Sequence, residues 1–246
     1  DANELTILSY THSSVEFAVT ETSFFDANVT FEVVGSQPYM LGLVESSEFN
    51  AAELAQYYTE NPDYLSATRE DINYSGSILE LLGRTSQKLN QGTEYTMWYI
   101  AKNDSRVILE DNVFSWSFTT QDFTQGGAIE VVAGDPVVDY KSIDVELNSN
   151  GEHIAMFYNA MPSYMATAYP DDSYIIEMLL SEGTQKITTE AITAYYKGTE
   201  PGEKVTFFAV AVDANGKIGK PFKQEYTTKS FEYNDLEVAL TLVDYK

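Results

Sequence analysis

Cysteine is absent from this chain of 246 residues. That removes disulfides, thiolate nucleophiles and thiolate-bound metals together. The compartment stays open, because a domain with a full hydrophobic core needs no staple even outside the cell. Basic residues are scarce: 14 Lys and Arg stand against 38 Asp and Glu, a formal net charge of −24. The long-range field repels phosphate backbones and anionic lipid surfaces, so nucleic acid is not an expected partner. The acidic residues are scattered among apolar ones and form no long run, which reads as a solvated surface. No stretch approaches the roughly 20 apolar residues of a membrane span, so no direct span is expected. Asp1-Ala2-Asn3-Glu4 is not a signal peptide. On an exported protein the signal would already be gone, and a lipid anchor would sit on the uncut N-terminus.

The chain says the same thing twice. Gly92-Thr93-Glu94-Tyr95-Thr96-Met97-Trp98-Tyr99-Ile100-Ala101 is followed by Val113-Phe114-Ser115-Trp116-Ser117-Phe118-Thr119-Thr120. Gly202-Glu203-Lys204-Val205-Thr206-Phe207-Phe208-Ala209-Val210-Ala211 is followed by Phe222-Lys223-Gln224-Glu225-Tyr226-Thr227-Thr228. An offset of this size is that of a tandem domain array, since solenoid repeats run roughly 20–50 residues. Two modules are expected, at 1–125 and 126–230, joined through the polar stretch Gln121 to Gly127, a composition that bends. A C-terminal strand within 231–246 ends in Val243-Asp244-Tyr245-Lys246, the same residues as Val138-Asp139-Tyr140-Lys141, and reads as the start of a third repeat.

Short alternating runs rich in β-branched and aromatic residues dominate, bounded by Gly, Asn, Asp or Ser. In the first module they are Leu5 to Tyr10, Val15 to Thr20, Val29 to Val34, Tyr39 to Val44, Ile78 to Leu82, Tyr95 to Ala101 and Val113 to Thr120. In the second they are Ile129 to Val132, Ile143 to Leu147, Ile154 to Tyr158, Tyr164 to Tyr169, Ile187 to Thr193, Val205 to Val212 and Phe222 to Thr228. The expected fold is mostly β: two tandem immunoglobulin-like sandwiches, each with one inserted short α-helix. In the first helix Asn50 is the N-cap with Glu53 as its partner, and Ala51, Leu54, Tyr57 and Tyr58 share a face until Asn61-Pro62. The second opens at Pro170-Asp171-Asp172, lines up Ile175, Met178 and Leu179, and ends at Gly183. Each helix follows a Tyr-Met pair, Tyr39-Met40 or Tyr164-Met165, expected to lie in a strand.

The pattern Leu89-x-x-Gly92-Thr93-x-Tyr95-x-x-x-Tyr99-x-Ala101 resembles the E–F turn and F strand of fibronectin type III domains, with Tyr95 at the tyrosine corner. The resemblance implies a phenol packed inward, its hydroxyl hydrogen-bonded to upstream backbone. Val205 holds that place in the second module, where the corner cannot form. Phe118-Thr119-Thr120 and Tyr226-Thr227-Thr228 resemble the family's last strand. The inserted helix resembles tandem fibronectin-like repeats of Bacteroidetes surface lipoproteins of unassigned function, which implies an exported, cell-surface or extracellular location. These motifs are structural and carry over no catalytic residue.

Candidate sites are few. His12 and His153 are the two histidines, and no Gly-x-Ser-x-Gly accompanies them, so no triad is expected. Carboxylates are abundant enough that some pair will resemble a glycosidase dyad by chance, the basis of an alternative reading as a glycoside-active enzyme. Asp171-Asp172 reads as a helix N-terminus. Asp213-Ala214-Asn215-Gly216 reads as a tight turn and lacks the spacing of a calcium loop. Catalytic residues, metal and cofactor are each expected to be none, and the ligand-binding residues are left open. The aromatics stand out, with 18 Tyr and 13 Phe. Trp98 with Tyr57, Tyr58 and Tyr64 would form a stacking platform in a carbohydrate-binding accessory protein. The favoured alternative is that the inserted helix covers Trp98 with Leu54 or Tyr57, as Met178 or Leu179 covers Phe208. The expected role is a non-enzymatic spacer or adhesion module for a protein or glycan ligand.

Overall fold

The computed structural model describes residues 14–35, 38–65, 71–101, 108, 112–198 and 200–231. The expected strand at Leu5 to Tyr10, His12, and residues 232–246 of the segment expected to hold the C-terminal strand lie outside them. The chain divides into two compact units, Asp1–Phe123 and Thr124–Lys246.

Unit 1 runs β1 (Ser14–Thr22), β2 (Ala27–Val34), β3 (Tyr39–Glu45), α1 (Ala51–Glu60), β4 (Ile72–Ser77), α2 (Ile78–Leu81), β5 (Glu94–Ala101) and β6 (Val113–Thr119). Two antiparallel sheets form, ordered β1-β2-β4 and β3-β5-β6. Strict alternation on β2 turns Val29, Phe31 and Val33 inward, where they meet Tyr95, Met97 and Tyr99 of β5 and Tyr39 and Leu43 of β3. That pairing and face-to-face packing is the fibronectin type III-like sandwich.

Unit 2 runs β7 (Thr124–Ala133), β8 (Val137–Val138), β9 (Ser142–Ser149), β10 (His153–Pro162), α3 (Asp172–Glu182), β11 (Thr184–Lys186), β12 (Ile192–Lys197), β13 (Lys204–Asp213), β14 (Lys217–Lys220) and β15 (Phe222–Thr227). Its strands form one continuous nine-stranded sheet, β11-β10-β13-β14-β7-β9-β12 with β15 on β13 and β8 on β9, and β7 links its two halves: it runs parallel to β14 at its start and antiparallel to β9 at its end. Thr124 to Gly127, expected as a bending linker, are thus the first residues of a strand. Gly127 and Gly219 allow the close approach, since a Cβ on either would crowd backbone of the facing strand. The core joins Ile143, Val145 and Leu147 to Val205, Phe207, Ala209 and Ala211.

The repeat holds at the level of single hydrogen bonds. Thr120 Oγ1 accepts from Thr93 N–H at 3.0 Å and donates to Asn90 O at 2.7 Å. Thr228 Oγ1 accepts from Glu203 N–H at 2.8 Å and donates to Glu200 O at 3.3 Å. Gly92 and Gly202 take positive φ, 59° and 75°, so that their N–H groups reach Gln121 O and Lys229 O, both at 3.0 Å. One threonine therefore ties the end of the last strand to the E–F turn in each unit. In unit 1 the Tyr95 hydroxyl adds a bond, accepting from Asn90 N–H at 2.9 Å. Val205 leaves unit 2 without it.

Three expected strands change. Ile78 to Leu82 forms α2, because Ser77 Oγ accepts from Leu79 and Glu80 N–H and Gly83, at φ 67°, closes the turn. Arg84 N–H reaches Leu79 O and Gly83 N–H reaches Glu80 O, a Schellman motif. The described residues of unit 1 thus hold two α-helices where one was expected, and the strand paired with β2 on the side away from β1 is β4, which the sequence reading passed over. Tyr164 to Tyr169 contains a 3-10 turn at Met165–Ala168, and Tyr164 is 76% exposed. The residue facing Ala211 of β13, as Tyr39 faces Ala101 of β5, is Met156. Ile187 to Thr193 overlaps β12 by two residues only, Ile192 and Thr193.

Candidate functional site

β5 is apolar on both faces because it is covered on both. Tyr95, Met97 and Tyr99 fill the sandwich; Thr96, Trp98 and Ile100 point outward and are also buried. Trp98 faces Gly42 across the β3–β5 pairing, and a Cβ on Gly42 would overlap the indole. The ring therefore lies against bare backbone. α1 closes over it: Ala55 and Tyr58 are buried with Trp98 and Ile100, and Leu54, Phe49 and Val44 pack around them. Asn50 fixes the start of α1, accepting from Ala52 and Glu53 N–H at 3.1 and 3.2 Å and donating to Glu53 Oε1 at 3.0 Å.

Trp98 is 8% exposed and Tyr58 7%, so neither belongs to an open platform. Tyr57 and Tyr64 do reach solvent, 47% and 58% exposed, and stack on each other with centroids 5.9 Å apart and an interplanar angle of 19°. Their mutual hydrogen bond holds the Tyr57 phenol above the ordinary tyrosine range. Leu54 lies on the buried side, and Tyr57, expected to share it, is turned outward. Beside this pair a groove of about 340 Å³ opens between α1, the preceding 3-10 turn and the edge of Trp98. Val44, Phe49, Leu54 and Trp98 form its apolar walls, and Glu48 and Glu53 are the charged side chains that line it. A second hollow of about 310 Å³ lies along β1, β2 and β4, with Glu16, Thr30, Glu32 and Asn73 in its lining.

Unit 2 treats the same sheet position differently. Phe208 is fully buried; Ile175, Ile176, Met178 and Leu179 of α3 are buried, and the helix packs on β10 and β13. Asn159 donates to Met178 Sδ at 3.3 Å. Lys223, facing Phe208 across the β13–β15 pairing, sets its Nζ 5.4 Å from the ring centroid and donates to Tyr169 O at 3.1 Å. The corresponding residue facing Trp98 is Ser115.

No protein-family model matches the chain, and no curated protein matches it. Among solved structures it is similar to the FN1-FN3 domains of chicken CNTN1, with 10% identity and a TM-score of 0.31. That likeness covers 90% of this chain and 66% of the other, just under two thirds of its length.

The remaining expected residues are engaged locally. His153 is buried, with Nδ1 2.8 Å from Ser149 Oγ and Nε2 3.2 Å from Glu190 O. Asp171 caps α3, accepting from Ser173 and Tyr174 N–H, and the Ser173 hydroxyl beside it holds its carboxyl below the usual carboxylate range. Asp213 Oδ1 accepts from Asn215 and Lys217 N–H, both at 2.9 Å, in a turn closed by Gly216 at φ 72°. Among the described residues no three His, Asp or Glu side chains converge in the way a metal ion needs. Also among the described residues, no helix is long and apolar enough to cross a membrane. The sequence reading missed Val44, Glu48 and Phe49 as groove lining and Lys223 as a ring partner. Helical spacing pointed to α1 but carried no information about the turn before it.

Proposed function

We propose that this chain is a non-enzymatic tandem β-sandwich that acts as a spacer or binding module, exported and displayed at a bacterial cell surface. The observation that carries the reading is the contrast between the two units. The threonine clamp and the glycine turns recur bond for bond, while the outer face of the sheet around β5 and β13 differs, as Trp98 with its groove differs from Phe208 with its lysine. A repeated frame with one variable face is what a module needs to hold spacing constant and vary its contacts. The groove is open to solvent along α1, which favours contact with a macromolecular surface over enclosure of a small substrate. Support for export comes from the resemblance of the inserted helix to surface repeats.

Two measurements test the proposal. The purified chain, immobilised and challenged with glycan and protein arrays, should retain ligands and release no product from chromogenic glycosides. Turnover abolished by a single carboxylate substitution would contradict it. Protease shaving of intact source cells should remove the protein, and protection from shaving would contradict surface display.

A further inference from the structure

We infer that the groove beside α1 in unit 1 is a docking site for a lysine-bearing segment of a partner protein. The lysine stem lies on Phe49, Leu54 and Trp98, and its ammonium meets the Glu48 and Glu53 carboxylates and the Tyr57 ring. The inference rests on the reading of the chain as a binding module and names the chemistry of the ligand.

Charge complementarity is the first argument. The groove has apolar walls, its charged lining is Glu48 and Glu53, and the chain as a whole carries −24. An anionic or purely apolar segment would bury those carboxylates without a countercharge, since the amide of Asn50 on Glu53 is neutral, whereas a cation is steered toward them. Lysine fits both halves of the surface, since its methylene stem covers apolar area while the head stays at the polar rim.

Unit 2 supplies the second argument from within the molecule. At the equivalent sheet position Lys223 stands over Phe208 and hydrogen-bonds Tyr169 O. This outer face therefore accommodates a lysine against its central aromatic. Unit 1 has Ser115 at that register, so its own chain brings no lysine there. Trp98 instead turns over Gly42 toward the groove side, where the carboxylates are.

The test is a titration of the full chain with the peptide acetyl-Leu-Lys-Leu-Lys-Leu-amide, followed by the indole N–H resonances of the two tryptophans, assigned with W116F. The Trp98 resonance should shift saturably and that of Trp116 should not. E48Q/E53Q should raise Kd about tenfold at low salt. E48Q alone, which leaves the α1 cap intact, should give part of that loss. Y57A should weaken binding and Y57F should not. The inference is overturned if E16Q/E32Q, the same charge change on the other sheet, weakens binding equally. It is also overturned if the Leu-Glu-Leu-Glu-Leu peptide shifts Trp98 equally, or if no saturable shift occurs. Retention of another ligand on the arrays alongside such a failure would leave the binding-module reading standing; turnover of a glycoside would remove that reading itself.

Discussion

Gly42 leaves room for the Trp98 indole across the β3–β5 pairing. G42A forces the indole off its seat and should cost about 1–3 kcal/mol, as overpacking does. W98A removes the centre of the helix-covered cluster and should lower the stability of unit 1 by about 3–5 kcal/mol in urea unfolding. A W98A protein of unchanged stability would show that α1 does not need the indole. Y95F deletes the hydrogen bond from Asn90 N–H and should cost about 1 kcal/mol. Tyr196 gives a pH-dependent counterpart. Burial, reinforced by the Glu203 carboxylate, pushes its phenol up to about 12. Because the folded state holds the proton more tightly than the unfolded one, Tyr196 stabilises below pH 10, and that stability is lost as pH rises through about 12. Spectrophotometric titration should show a tyrosine ionisation in that upper range that Y196F removes. The site residues themselves were half legible. Trp98 and the helix over it follow from two-faced hydrophobicity, but Gly42, Glu48 and Ser115 carry no pattern, because their part is set by what faces them across a sheet.

Each helix is defined by its ends. Asn50 and Asp171 accept two backbone N–H groups apiece, so N50A and D171A should each cost about 1 kcal/mol, read as a drop in unfolding midpoint. Gly183 ends α3 at φ −71°; it is needed because a Cβ there would overlap Leu179 O. The strands read correctly from sequence are those with one face buried, such as β2, or two, such as β5 and β13. Errors fall where a short apolar run is compatible with either period. Ile78 to Leu82 has strand-like composition, yet Ser77 before it and Gly83 after it cap a single helical turn. Tyr164 to Tyr169 alternates as a strand does, but Ser163 already pairs with Lys204 O and the chain turns away from the sheet. β4 was passed over because Ile72-Asn73-Tyr74-Ser75-Gly76-Ser77 shows two apolar residues, enough for one inward row and too few for a recognisable run.

At the scale of the whole molecule, the net charge of −24 opposes compaction and self-association alike, and salt should raise the stability of the chain by screening it. The central claim is that one fold is built twice, each copy complete with its own core, its own helix-covered outer sheet and its own threonine clamp. T120V and T228V should each destabilise the unit that contains them, since each removes a hydroxyl that bridges the last strand to the E–F turn. The most direct test is to produce residues 1–123 and 124–246 as separate chains and follow their urea unfolding by circular dichroism. Each should give a β-rich spectrum and a single cooperative transition, the first moved to lower urea by T120V and the second by T228V. A fragment that stays unfolded by itself, or folds only when the other is added, would contradict the account.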